Sequence, residues 1–432
     1  MRITRLVTTL LVALPLLVSC RSDENLNAPA VSDPMFRRYA SLGNSITAGF
    51  QSAGISDSTQ QRAYVQLLAK AMGTTFNYPR LNGRGCPPPF TNNTTQARVG
   101  GGTPSTCDLR VPSSGLLNNL AVPGNATGTL LSNFGGLPSQ FDPLKTIFLG
   151  GRTEVELMQL LHPTFVSVWI GNNDVLGALI SLTNPGDPAQ VTSPTQFAAQ
   201  YDSLLDAIQG TGARAIALSV ADVSVIPYAS RGSTYWCIKF QPACGVSFPS
   251  ALPPAFAVDN NCAPMLAIPT AKGDSTLVPW PIFVPKIAAA ALGGVPDTLD
   301  CTADAEVVTA SEYANVRTAV AAYNVHIQTA AAARGMAYWD VNPTLQAQLQ
   351  SPTNPTGQIP AFPDLAPALG GGSVGFGPLF SLDGVHPSSI THQIVADSVA
   401  STINSFFGPG GTGDLVTLLP VPVCATVSCP AP

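Results

Sequence analysis

Ser45 stands directly after Gly43-Asn44, and His386 closes the run Asp383-Gly384-Val385-His386. A serine hydroxyl is a weak nucleophile and needs an adjacent base, a role the His386 imidazole can fill. Asp383 lies three residues before it, so one turn brings its carboxylate to the imidazole Nδ1 and fixes the tautomer. Attack on an ester carbonyl creates an oxyanion, which needs preorganised donors. The candidates are the backbone N–H groups of Ser45 and Gly124 and the side-chain amide of Asn173. Gly124 sits within Ala121-Val122-Pro123-Gly124-Asn125, and Asn173 within Gly171-Asn172-Asn173-Asp174. Glycine suits such a place because a substrate must approach its backbone closely. Asp174 reads as a carboxylate that orients the loop. Nothing in this chemistry calls for a metal or an organic cofactor. Each residue also has a plain structural alternative. Ser45 reads equally as a helix cap, Gly124 as a turn with positive φ, Asn173 or Asp174 as a loop cap, and His386 as one surface histidine among four.

The elements that carry these residues decide between the readings. Tyr39-Ala40-Ser41-Leu42 is a short strand running into Gly43, and residues 61–72 show an amphipathic helix pattern that ends at Gly73. Leu117 to Val122 reads as a second strand. Phe165 to Ile170 and Ala213 to Val220 are continuous apolar runs, as expected of strands buried on both faces. Helices are expected at 195–209, 311–333 and 388–406, with a last strand over Met336 to Val341. Strands alternating with helices imply an α/β fold with a parallel sheet covered on both faces. In such a sheet functional residues collect at the carboxyl ends of the strands, which is where Ser45, Gly124 and Asn173 fall, with His386 just before the final helix.

Four blocks carrying Ser, Gly, Asn and His in that order resemble the SGNH (GDSL-type) hydrolase family, over most of residues 36–408. The likeness is closest to its lipid-anchored bacterial members, in Tyr39-Ala40-Ser41-Leu42-Gly43-Asn44-Ser45-Ile46-Thr47-Ala48-Gly49-Phe50, in Ala221-Asp222-Val223-Ser224-Val225-Ile226-Pro227-Tyr228 and in Phe380-Ser381-Leu382-Asp383-Gly384-Val385-His386-Pro387. The resemblance implies a three-layer flavodoxin-like fold and ester hydrolysis through an acyl-enzyme. Asn44 departs from the Asp of the family name, at a position that is not the nucleophile. The other class of function consistent with these blocks is a non-catalytic binding or structural lipoprotein on a retired hydrolase fold. Rival motifs lack their context. No G-x-S-x-G stands at a strand-to-helix elbow, and Gly370 to Gly375, which contains that pattern and also fits G-x-G-x-x-G, has no strand before it or helix after it.

Composition places the chain in a compartment. Arg2 and Arg5 precede an apolar run, Leu6 to Val18, that ends in Leu17-Val18-Ser19-Cys20. This ending resembles a bacterial lipobox, which implies a signal peptide over 1–19, an acylated Cys20, a tether over 20–35 and a body in the periplasm or outside the cell on a membrane, with the outer membrane expected. No other run of eighteen apolar residues occurs, so the body is expected to be soluble. The eight remaining cysteines fall in sequence-local pairs, Cys86 with Cys107, Cys237 with Cys244, Cys262 with Cys301 and Cys424 with Cys429. Disulfides fit export better than a zinc site, whose ligand spacing is missing. Residues 84–115 and 224–305, rich in Pro, Gly and Cys, read as stapled insertions, and 409–432 as an irregular tail. Tyr235, Trp236, Phe240, Phe248, Trp280 and Phe283 read as an acyl-binding lid, a sugar-stacking surface or the small core of the second insertion. Charged residues are only 10% of the chain and the net charge is −5, which leaves no electrostatic footprint for nucleic acid. The expected partner is a small-molecule, lipid or polysaccharide ester.

Overall fold

The computed structural model describes residues 31–113, 115–132, 143–240, 251–351, 353–408 and 414–418. Four strands, β1 (Tyr39–Gly43), β2 (Phe165–Trp169), β3 (Arg214–Leu218) and β4 (Ala337–Trp339), pair in parallel in the order β1-β2-β3-β4. Tyr39 lies opposite Phe165 and Gly43 opposite Trp169. Both faces of β1 and β2 are buried, which is why their sequences show apolar runs without polar alternation. The period of two still sorts the side chains. Tyr39, Phe165 and Trp169 pack under α2 (Tyr64–Met72) and α7 (Ser389–Phe407). Ala40, Leu42, Val166 and Val168 pack on the opposite face, under α3 (Glu154–Leu161), α5 (Pro194–Gln209) and α6 (Ala310–Ala333). Two short helices, α1 (Ser45–Ala48) and α4 (Asn173–Ile180), open directly from the ends of β1 and β2.

Residues 117–122 are not a full strand. Ser41 N–H reaches the Asn118 carbonyl at 2.9 Å and Leu120 N–H reaches the Ser41 carbonyl at 3.0 Å, but only one parallel bridge forms, between Ser41 and Asn119. The N–H groups of Asn118 and Asn119 both turn to the Asn77 carbonyl, at 2.7 and 3.0 Å. Their side-chain amides take the Tyr39 and Thr47 carbonyls, at 2.7 and 3.0 Å. The segment still runs alongside β1, so the spatial order is that of a flavodoxin-like doubly wound sheet, whose crevice opens beyond the carboxyl ends of the strands. The helix expected over 61–72 also divides, into Asp57–Gln61 and α2. Ala63 between them is extended (φ −61, ψ 143), and the freed Tyr64 N–H donates to His392 Nδ1 at 3.3 Å.

The fold reaches past the boundaries read from sequence at both ends. Ser32 N–H donates to the Met72 carbonyl at 2.9 Å, and Val416, 1% exposed, exchanges two hydrogen bonds with the Asn404 side chain. Disulfides join Cys86 to Cys107 and Cys262 to Cys301. Cys20, Cys244, Cys424, Cys429 and Phe248 lie outside the described residues. Among the described residues no helix is long and apolar enough to cross a membrane.

Candidate active site

Ser45 is set by the abrupt end of β1. Asn44 is extended (φ −112, ψ −151) and its Oδ1 accepts the Ile46 N–H at 3.1 Å, so that α1 begins at Ser45 itself. Gly43 leaves no room for a side chain, since a Cβ would lie 2.7 Å from the Trp169 carbonyl oxygen. Ser45 is 7% exposed, and its Oγ lies 2.9 Å from His386 Nε2. His386 Nδ1 lies 2.8 Å from Asp383 Oδ2. Ser45, His386 and Asp383 therefore form one hydrogen-bonded line.

The carboxylate is heavily supported. Asp383 Oδ1 accepts the N–H groups of Val385 and His386 at 2.9 and 2.8 Å, and the Ser381 hydroxyl at 3.1 Å. Its Oδ2 also accepts the Ala53 N–H at 2.6 Å. Burial by itself would raise its pKa, but the His386 charge and these hydrogen bonds outweigh it and hold the carboxyl at about 2. Ser52 and Ala53 have left-handed backbones (φ 55 and 53), an uncommon state for residues with a Cβ. Sequence reasoning missed this loop, and no residue in it signals that backbone. Arg98 holds it from behind. Its Nη1 donates to the carbonyls of Ala53 and Pro88 at 2.8 and 2.7 Å, and its guanidinium lies over the Phe90 ring.

The candidate oxyanion donors come from the other side. Ser45 N–H heads a helix and has no intrahelical acceptor. Gly124 (φ +89) is exposed, a Cβ there would meet nothing within 4 Å, and among the described residues no backbone acceptor takes its N–H. Asn173 Nδ2 donates one hydrogen to the Asn125 carbonyl at 2.8 Å, leaving a second one. Ser45, Asn173 and His386 line one pocket, while Gly124 stands on the adjoining loop and does not line it. Asp174 faces away, accepting the N–H and hydroxyl of Thr127, both at 2.9 Å. Among the described residues the pocket walls include Ile46, Val223, Ile226, Val341, Leu345 and Val395, with Asn44, Asn172 and Thr391 beside them and no Lys, Arg, Asp or Glu.

His392 shows what a core histidine looks like. It is fully buried and stacked on Tyr64, and burial, then the His386 charge, push it down to about 3. Among the described residues, Tyr235, Trp236, Phe240, Trp280 and Phe283 of the second insertion do not line the pocket. Tyr235, Trp236 and Phe283 form a core with Phe256 and Leu299, Trp280 sits between Tyr228 and Phe376, and Phe240 is 41% exposed. Among the described residues no three ligating side chains cluster as a metal site would require.

The model of the GDSL-like lipase/acylhydrolase family matches residues 39–399. Among solved structures the chain is similar to an acetylxylan esterase from Geobacillus stearothermophilus, in a catalytic mutant, with 12% identity, 88% of this chain and 96% of that one covered and a TM-score of 0.36. It is also similar to an alpha/beta hydrolase enzyme from the metagenome of Lake Arreo, Spain, with 14% identity, 88% and 98% covered and a TM-score of 0.36. No curated protein matches this chain.

Proposed function

The chain belongs to the GDSL-like lipase/acylhydrolase family, and on that premise we propose that it is a serine esterase that cleaves carboxylic esters through an acyl-enzyme. The line Asp383–His386–Ser45, with its 2.8 and 2.9 Å contacts, carries this reading. Ser45 Oγ attacks the ester carbonyl carbon while His386 Nε2 takes its proton, and ionised Asp383 stabilises the imidazolium. The oxyanion is met by the N–H groups of Ser45 and Gly124 and by the Asn173 amide. Collapse breaks the C–O bond, His386 returns the proton to the departing alcohol, and water repeats the sequence on the acyl-enzyme. These roles call on no metal or organic cofactor.

The apolar, uncharged pocket walls favour an ester with an apolar chain, since a hydroxyl or charge buried there would find few partners. Ser45→Ala and His386→Ala should each abolish nearly all hydrolysis of a chromogenic ester, and a serine-reactive phosphonate should label Ser45 alone. Asn173→Ala should lower kcat by about 10²–10³, the usual loss for one oxyanion donor. Hydrolysis retained by Ser45→Ala overturns the reading. The same proposal puts the enzyme on a bacterial membrane through acylated Cys20, where several acyl chains anchor durably. Cys20→Ala should then move it to the soluble fraction, and a wild type already soluble and unlipidated overturns the anchor.

A further inference from the structure

The proposed reaction leaves one fully buried carboxyl beside the site without a role. Glu154 opens α3 with no exposed surface. Its Oε2 accepts the Gly43 N–H at 3.2 Å, and its Oε1 accepts a hydrogen from Asn125 Nδ2 at 2.5 Å. Gly43 lies two residues before Ser45. Asn125 follows Gly124 directly, and its carbonyl takes the Asn173 amide at 2.8 Å. One side chain thus ties the strand end carrying the nucleophile to the loop carrying one oxyanion donor and orienting another.

Apolar packing alone gives no reason for an acid here. Burial pushes the Glu154 carboxyl up to about 8, although the Lys145 charge and the hydrogen bonds from Gly43 and Asn125 pull it down. An apolar side chain of similar volume would fill the space without that desolvation cost. It would also leave the Gly43 N–H and the Asn125 amide unpaired, and with them the spacing between strand end and loop. We propose that Glu154 is a positioning residue that sets the distance between Ser45 and the donors of Gly124 and Asn173, acting through Asn125.

The inference rests on the esterase reading. Glu154→Gln keeps the volume but replaces one carboxyl oxygen by an NH2, which cannot accept and has to face the donor of either Gly43 or Asn125. It should lower kcat about 10–100-fold while leaving KM within about threefold, because donors that act on the transition state move while the pocket walls do not. A purely structural carboxyl would lower thermal stability and spare kcat. A double variant with Asn173→Ala separates the two further. If Glu154 acts through the oxyanion donors, the double variant should lose clearly less than the product of the two single losses, since only the Gly124 share remains to be lost, and fully multiplying losses overturn the proposal. Should Glu154→Gln not fold, Asn125→Ala removes the same tie from the other end and keeps the backbone carbonyl that holds Asn173. It must show the same kcat loss. Glu154→Gln or Asn125→Ala with kcat within threefold of wild type overturns this inference alone, whereas a wild type that hydrolyses no ester overturns the esterase reading beneath it.

Discussion

The two cysteine-bearing insertions look alike in sequence and stand differently towards Ser45. The first, residues 84–115, is sewn onto the loop that supports Asp383. Cys86 and Pro87 exchange hydrogen bonds with Ile55, both at 2.9 Å, and Phe90 N–H donates to the Ser52 carbonyl at 2.7 Å. Arg98 holds the Ala53 carbonyl, and the buried Asn93 amide donates to the carbonyls of Val374 and Leu382 at 2.9 and 2.8 Å. The described part of the second, 224–305, packs largely on its own core. It builds its own core of Tyr235, Phe256, Phe283 and Leu299 around two small sheets, Ala229–Arg231 with Leu277–Pro279 and Phe256–Val258 with Asp297–Leu299. Among its described residues only Ile226 lines the pocket. On the proposed function, a disulfide in the first insertion is expected to bear on catalysis, and one in the second on local folding.

The largest effect expected lies where the first insertion's influence converges. Asp383→Asn removes the carboxylate that fixes the His386 tautomer and should lower kcat about 10⁴-fold in a steady-state ester assay. It should also change acid unfolding in a defined window. The folded-state pKa, about 2, is below the ordinary 3.8, so the stability from this ionised group is present above that ordinary value and is lost as pH falls through about 2. Wild type should lose stability across that interval, and Asp383→Asn should lose less. Equal pH slopes for the two proteins would break the assignment of Asp383 as the ionised partner.

How much of this was legible beforehand follows from what a sequence encodes. The strands around Tyr39, Phe165 and Ala215 announce themselves because burial on both faces demands unbroken apolar runs. Ser45, Asn173, Asp383 and His386 stand out because strand ends and the start of the last helix collect polar residues in an otherwise apolar chain. Glu154 does not. It follows Thr153, which caps α3 with Glu156, so its place in the chain is that of an exposed acid in a first helical turn. Only the tertiary approach of Gly43 and Asn125 makes it a buried clamp. Ser52 and Ala53 are hidden for a similar reason, since the contacts that hold their left-handed backbone, from Arg98 and Phe90, are made only in the folded chain. The strand expected at 117–122 failed because Asn118 and Asn119 spend their hydrogen bonds on Asn77 and Thr47.

The next effect in size tests whether the first insertion works through Ala53. Arg98→Lys keeps the charge but loses the flat guanidinium that bonds two carbonyls and covers Phe90. The Ala53 N–H should then hold Asp383 Oδ2 less well, lowering kcat about tenfold with little change in KM, read from full kcat and KM curves. An equal loss from Arg231→Lys, whose guanidinium in the second insertion bonds Tyr313 at 2.8 Å, would erase the distinction between the insertions.

The smallest effects come from the disulfides themselves, and here the contrast is sharpest. Cys86 and Cys107 lie 21 positions apart and Cys262 and Cys301 lie 39 apart, so on loop closure alone the second bridge should add slightly more stability, each about 3–4 kcal/mol. Catalysis should follow the opposite order. Replacing Cys86 and Cys107 together by Ser frees the segment whose backbone holds Ile55 and Ser52, and kcat should fall about three- to fivefold. Replacing Cys262 and Cys301 together should leave kcat within about twofold, because the core around Phe256 and Phe283 opens without moving the Asp383 loop. Hydrogen exchange should then show faster amides in 251–301 and unchanged protection at Ala53 and His386. The reverse pattern, with ester hydrolysis more sensitive to the second bridge, would mean that the second core steadies the pocket through Val223 and Ile226 and that stapling, not proximity to Asp383, decides which insertion matters.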